Sequence, residues 1–214
     1  QWELFNEINR PILAQMLISM SVLARELDPT RMILDESGGW GEGANIYLPY
    51  EKTPTKFNDI HHYSGSQVDE KEFNGYLATG KTNEELKSLS LENVKGYGKN
   101  VVPGIMTFIS EIGYGSTPDL TSNNKMFNEI GNPLVAPTIY HKELDNGYKK
   151  ALKKVGFNKI YQKTEDLYIE QQKMHGIANK RMLEATRLNE TIKGYCVHAL
   201  VGGDWVLGAG LLDL

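Results

Sequence analysis

The chain opens on QWELFNE, residues 1–7, an aromatic and apolar run that changes abruptly to Asn6 and Glu7. Pro11 follows closely, and proline is favoured in the first turn of a helix because its missing N–H costs nothing there. The pattern predicts a short buried strand that leads into a helix, with the Glu7 carboxylate at the strand's carboxyl end. In a parallel α/β barrel, catalytic groups lie at that end of the strands.

A second segment has the same form. Residues 101–110 are mostly apolar and rich in strand-forming residues, and they lead to Glu111 and the Gly-containing turn 112–115. Two carboxylates at the ends of apolar strands suit glycoside hydrolysis, whose retaining form needs carboxyl groups about 5–5.5 Å apart. Glu7 and Glu111 are far apart in sequence, so we expect only a closed barrel to bring them together.

Composition excludes several functional classes. The chain has 214 residues, 40% of them hydrophobic, and a net charge of −4, so it can bury one sizeable core and offers no basic surface for nucleic acid. Its single cysteine excludes an intrachain disulfide framework and a cysteine-based zinc site. No apolar run approaches the roughly 18 residues of a membrane-spanning helix.

The alternation of strand and helix patterns predicts a parallel sheet covered by helices. Long loops are expected at residues 40–56, 66–82 and 114–140. Beyond the first strand, strands are expected at residues 31–34, 57–63, 101–110 and 194–201, and helices at 12–27, 83–93, 141–155 and 164–188. Five strands fit a partial TIM (β/α)8 barrel, because a complete one takes about 250 residues. A doubly wound domain is the alternative, and no Gly-rich phosphate loop supports it.

Both ends of the chain are unusual. It begins in mid-strand without a Met and ends on the apolar run 210–214. We therefore expect residues 1–214 to be a single but incomplete catalytic-barrel domain from a longer protein. We expect no signal peptide within residues 1–214, and the compartment is left open.

The motifs, taken in order, resemble glycoside hydrolase family 2, which includes β-galactosidases, β-glucuronidases and β-mannosidases. The resemblance implies strands four to eight of that family's barrel, without its first three strands or its N-terminal β-sandwich domains. It favours a bacterial, periplasmic or secreted parent protein. At the nucleophile motif, Ile112 replaces the family's usual aromatic residue. The matching segments are the acid/base strand at 2–7, the run into the fifth strand at 27–31, the sixth strand at 59–63, the nucleophile strand at 109–113, and the eighth strand and its exit at 194–200, 204–205 and 210–213.

The resemblance assigns roles to particular residues. Glu7 is expected to be the general acid/base and Glu111 the nucleophile. Asn6 is expected to hold the sugar 2-hydroxyl, and Tyr63 is expected to hydrogen-bond the nucleophile. The chemistry implied is retaining hydrolysis of a terminal β-linked sugar, with a carbohydrate substrate and no cofactor.

Three further substrate-binding residues are expected. Trp205 offers an aromatic face on which a pyranose can stack, and Asp204 either binds a hydroxyl group or caps a turn. His61 and His62 point to opposite faces of a strand, so a shared metal is not expected. His62 is assigned to the pocket, which requires the strand to have ended before Tyr63.

Two alternatives stay open. The chain is either catalytic by itself or a non-catalytic barrel fragment that needs a partner segment, and its exposed sheet edges would then favour self-association. The second alternative is a related endo-acting glycanase. Loops 40–56 and 114–140 distinguish the two modes of action, because loops that block the cleft indicate exo action and loops that leave it open indicate endo action. The identity of the sugar is not determined.

Overall fold

The structure is a computed structural model. It describes residues 1–7, 14–34, 37–38, 57–64, 67–98 and 101–198, except for the side chains of Ala14 and Tyr114. The chain forms two compact units. The first contains Gln1–Gly113 and Arg181–Val197, and the second contains Tyr114–Lys180 and His198–Leu214.

The first unit holds a two-stranded parallel sheet. Strand β1 (Trp2–Glu3) pairs with β2 (Ile33–Leu34), and helix α1 (Ala14–Leu27) connects them. The ladder continues past the strand ends, because Leu4 N–H donates to the Leu34 carbonyl at 3.0 Å. Ile33 and Leu34 are buried, so β2 anchors the exposed β1 to the core.

A three-stranded parallel sheet forms the rest of the scaffold, in the order β3 (Asn58–Ser64), β4 (Thr107–Tyr114), β5 (Ile192–Val197). The central strand β4 buries Ile109 and Ile112 almost completely. Its main chain is hydrogen-bonded to a neighbouring strand on each side, which makes β4 a rigid support for the polar residues that it carries.

Two helices lie between β3 and β4. Helix α2 (Glu70–Ala78) begins at Asp69, whose carboxylate accepts the Glu72 N–H at 2.9 Å. Helix α3 (Asn83–Ser88) begins with a capping box between Thr82 and Glu85.

The second unit is helical in the part of the chain that the structure describes. It contains α4 (Leu120–Glu129), α5 (Ala136–Val155), a 3-10 turn (Phe157–Lys159) and most of α6 (Thr164–Leu188). Helix α5 ends at Gly156, whose left-handed φ of 79° terminates the helix without the steric cost that a side chain would add. Among the described residues, no helix has the length and apolar character needed to cross a membrane.

The barrel prediction is wrong. The strands pair in parallel as expected, but the described residues form two separate sheets of two and three strands, and helices make up 52% of the structure. The reason is that strand and helix periodicity reports local structure only. Closure depends on how strands at a distance pair, tilt and stagger, and β1 and β2 are only two residues long.

Three local predictions also need correction. Residues 66–82 and 114–140 were expected to be mostly loop, yet they contain α2 and α4, and α5 also begins inside the second segment. Both α2 and α4 begin at an aspartate cap and bury few apolar residues, so neither has a strong amphipathic stripe. The fourth strand begins at Thr107 rather than Val101, because Pro103 and Gly104 form a turn. Glu111 therefore lies within β4 and not at its end.

Candidate functional site

Glu7 lies a few residues beyond β1, in a backbone conformation that is rare for its residue type. Its N–H donates to the Ser37 carbonyl at 2.8 Å, and the Ser37 N–H donates to the Phe5 carbonyl at 2.8 Å. Its φ of 52° lies in the left-handed region, which costs a non-glycine residue roughly 1–3 kcal/mol and is found most often at functional sites. The surrounding hydrogen bonds hold the backbone in this conformation and fix the direction of the side chain.

The two sheets bring Glu7 and Glu111 together at Nδ1 of His61. His61 Nδ1 lies 2.9 Å from Glu7 Oε1 and 3.4 Å from Glu111 Oε2. One donor atom from each of the three residues lies within 4.8 Å of the other two. The imidazole is 5% exposed and the Glu7 carboxylate 46% exposed, so the buried histidine supports a carboxylate that solvent and ligands can reach.

Tyr63 holds the second carboxylate. Its hydroxyl donates a hydrogen bond to Glu111 Oε2. Burial, this hydrogen bond and the charges of Glu111 and Glu7 raise the pKa of Tyr63 above its ordinary value. The phenol therefore stays protonated at neutral pH and remains a donor to Glu111.

Strand alternation in β3 decides which histidine reaches the site. Asp59, His61 and Tyr63 share one face, while His62 faces the other, as period-two geometry requires. His62 stacks on Tyr97 at a ring-centroid distance of 3.4 Å, and its Nε2 lies 3.6 Å from Glu72 Oε2. The strand continues through Ser64, so the condition for a pocket-facing His62 is not met. The structure places His61, and not the predicted His62, beside the two carboxylates.

A set of buried polar groups lies behind His61. Ser37 Oγ is 2.7 Å from His61 Nε2 and 2.9 Å from Ser110 Oγ. Asp59 Oδ2 accepts the Gly38 N–H at 2.7 Å. Ser37, Gly38, Asp59 and Ser110 are all buried in the first unit. Sequence reasoning did not identify Ser37, Ser110 or Asp59, because a serine or aspartate near a strand end carries no signal of the strand that it will meet.

The remaining predicted site residues stand as follows. Asn6 forms an isolated parallel bridge with Ser37 and is exposed directly beside Glu7, and its role toward a sugar hydroxyl stays a prediction. Asp204 and Trp205 lie outside the described residues. No cofactor was predicted, and within the described ranges Glu7, His61 and Glu111 form a group whose nitrogen and oxygen atoms could hold a divalent metal ion.

The buried Asp59 predicts a pH-dependent stability difference. Burial raises the pKa of Asp59, so its contribution to the unfolding free energy is complete at low pH and is lost as pH rises through the folded-state value. Asp59→Asn keeps an oxygen that can accept the Gly38 N–H and stays neutral at every pH. We expect the variant to gain stability relative to wild type between pH 4 and pH 8, measured by urea unfolding.

Asp69→Asn is the matched control, because Asp69 is exposed and an amide still caps α2. Its stability relative to wild type is expected not to increase with pH. A loss of stability of Asp59→Asn relative to wild type on going to pH 8 would contradict the assignment of Asp59 as a carboxyl whose pKa is raised by burial.

Comparison of the chain with protein-family models, with curated proteins and with solved structures finds no match to any of them.

Proposed function

We propose that this chain carries the catalytic residues of a retaining β-glycosidase, with Glu111 as nucleophile and Glu7 as general acid/base. The observation that supports the proposal is the placement of two carboxylates at Nδ1 of His61, with one oxygen of each within 4.8 Å of the other. This upper limit is compatible with the carboxyl separation of about 5–5.5 Å in retaining enzymes, and it lies below the about 6.5–9.5 Å that inverting enzymes need to admit a water molecule.

The two carboxylates differ in exposure. Glu111 is 18% exposed and accepts the Tyr63 hydrogen bond, which holds its carboxylate in place. Glu7 is about half exposed and can exchange protons with substrate and water. The assignment of the two roles follows the resemblance of residues 2–7 to the acid/base strand and of residues 109–113 to the nucleophile strand of glycoside hydrolase family 2.

The proposed reaction has two steps, formation of a glycosyl-enzyme and its hydrolysis. Glu111 attacks the anomeric carbon and forms an ester as the glycosidic C–O bond breaks, and Glu7 gives its proton to the leaving oxygen. Water then attacks the anomeric carbon, its proton passes to Glu7, and the ester breaks to release Glu111 as a carboxylate. The His61 N–H donates to Glu7 whenever that carboxylate is ionised, which stabilises the base form needed in the second step.

The direct test is covalent trapping. The chain is incubated with dinitrophenyl 2-deoxy-2-fluoro-β-glycosides of galactose, glucose, glucuronate and mannose, and intact mass and peptide mapping are recorded. We expect one fluoroglycosyl adduct on Glu111, and the sugar that labels fastest identifies the substrate. Hydrolysis of aryl monoglycosides without polysaccharide cleavage would support exo action. An adduct on another residue, or first-formed product with inverted configuration, would overturn the proposal.

Tyr63→Phe is expected to lower kcat/KM by about 10- to 100-fold, since a hydrogen bond to a charged group contributes about 1.5–3 kcal/mol. The matched control is Tyr97→Phe, which removes a phenol that donates to another carboxylate, Glu72, at 2.9 Å on the opposite side of β3. Steady-state kinetics on an aryl β-glycoside should show the loss in Tyr63→Phe only. Equal losses in the two variants would mean that Tyr63 acts through stability.

A divalent-metal hydrolase is the second candidate function, favoured by the grouping of Glu7, His61 and Glu111. The Nε2 contact of His61 to Ser37 resembles the outer hydrogen bond that metal-bound histidines usually make. The two functions differ in their response to chelation. Activity that persists in EDTA supports the glycosidase, and activity lost in EDTA and restored by Zn²⁺ or Mn²⁺ supports the metal hydrolase.

A further inference from the structure

Ser37 is linked to Glu7 in two ways, once directly and once through His61. Its carbonyl accepts the N–H of Glu7 at 2.8 Å, and its hydroxyl lies 2.7 Å from Nε2 of His61, whose Nδ1 faces the Glu7 carboxylate. Ser37 is fully buried. Ser37 therefore holds the main chain of Glu7 directly, and it also holds the imidazole that faces the Glu7 carboxylate.

The protons available on His61, Ser37 and Ser110 determine the direction of these hydrogen bonds. An ionised carboxylate only accepts, so Nδ1 of a neutral His61 must carry the proton in order to donate to whichever of Glu7 and Glu111 is ionised. Nε2 is then an acceptor, and the Ser37 hydroxyl is its donor. Because a hydroxyl has one proton, Ser37 Oγ must in turn accept from Ser110, which lies 2.9 Å away.

The reverse direction is poorly supported by the geometry. It would leave an imidazole lone pair facing two carboxylates, and Ser110 would then donate to the Ile60 carbonyl at 3.5 Å or to Asp59 instead of to Ser37.

Gly38 makes room for this arrangement. A Cβ atom at position 38 would lie 2.1 Å from His61 Nδ1, and Gly38 has a φ of +65°. The imidazole therefore rests directly against the main chain after Ser37, in space that only glycine leaves free. This contact limits rotation of the ring and keeps Nε2 directed toward Ser37.

We propose that Ser37 is a positioning residue that selects the Nδ1–H tautomer of His61 and so presents a donor to both carboxylates. Its hydroxyl donates to Nε2, Ser110 donates to Ser37, and the imidazole proton is held on Nδ1 between Glu7 and Glu111. The kinetic consequence of this assignment rests on the proposed glycosidase function, whereas the tautomer itself does not.

The test is the tautomer of His61 in the full chain, read from the 15N shifts of its imidazole in long-range 1H–15N NMR spectra at neutral pH. His61→Gln assigns the signals. Free histidine populates mainly the Nε2–H tautomer, so a dominant Nδ1–H form in wild type is expected only if the surroundings select it. A dominant Nε2–H form in wild type would overturn the proposal.

Two variants test the cause. Ser37→Ala is expected to mix the tautomers and to lower kcat about fivefold with little change in KM, the size of one neutral hydrogen bond, and Ser37→Thr is expected to restore both. If Ser37→Ala does not fold, Ser110→Ala removes the donor to Ser37 and is expected to mix the tautomers in the same direction. An unmixed Nδ1–H form in the folded alanine variant would overturn the proposal.

The NMR readout separates this proposal from the proposed function. A selected tautomer in a chain that fails to hydrolyse or to be labelled by any β-glycoside leaves the role of Ser37 intact and removes the glycosidase. If the chain hydrolyses β-glycosides but both His61 tautomers are populated, the glycosidase function is kept and the role of Ser37 is removed.

Discussion

Glu111→Ala is expected to lower kcat/KM for aryl β-glycosides by at least about 10⁴-fold, because the variant loses the nucleophile and with it the covalent route. The cavity left by the carboxylate lies beside the Tyr63 hydroxyl, so a small anion can enter there. With azide and a dinitrophenyl β-glycoside we expect the variant to form the α-glycosyl azide, since azide attacks from the side that Glu111 occupied. Product configuration is measured by 1H NMR.

Glu92→Ala is the control for this variant, because Glu92 is an exposed glutamate of the same unit. It is expected to retain wild-type kinetics. Substantial hydrolysis by Glu111→Ala without azide would contradict the assignment of Glu111. A β-configured azide product would instead indicate that the roles of Glu7 and Glu111 are exchanged.

Glu7→Ala is expected to lose about 10²- to 10⁴-fold in rate on substrates with poor leaving groups, the usual contribution of a general acid. Dinitrophenyl glycosides need no protonation of the leaving oxygen, so with them the first step should be nearly unchanged and the glycosyl-enzyme should accumulate. Azide is expected to release it as the β-glycosyl azide. Pre-steady-state bursts and NMR of the product measure these outcomes.

A loss that is independent of the leaving group would contradict the general-acid role of Glu7. The same variant also replaces a residue with a φ of 52°, and alanine pays a similar backbone cost there. Glu7→Gln keeps the side-chain volume and an acceptor for the His61 N–H. It should therefore show the same dependence on leaving group with an unaltered melting temperature.

Much of the local structure could be predicted from the chain alone. The stripe from Leu167 to Leu188 predicted α6, and the spacing of apolar residues after Ile12 predicted α1, because amphipathic periodicity directly reports a helix face. Helices α2 and α4 were missed since their polar sequences begin at aspartate caps and contact the core at few positions. The closure of the strands into a barrel was predicted wrongly, because no local sequence pattern indicates how distant strands pair.

The candidate site divides in the same way. Glu7 and Glu111 were identified from apolar strand segments that lead to a carboxylate, a pattern of adjacent residues. His61 was missed in favour of His62, although the alternation of β3 already put His61 on the face of Tyr63. Ser37 and Ser110 contact across a sequence separation of 73 residues, which no pattern of adjacent residues can indicate.

The sequence by itself determined the helices with strong stripes, the parallel pairing of short apolar strands, and the two glutamates that end or interrupt them. These are consequences of side-chain periodicity and capping, which act over a few residues. Only the tertiary structure decided that the sheets stay separate in the described residues and that His61, Ser37 and Ser110 connect the two carboxylates. Those contacts depend on the relative position of β2, β3 and β4, and this is a result of packing over the whole unit rather than of any single segment.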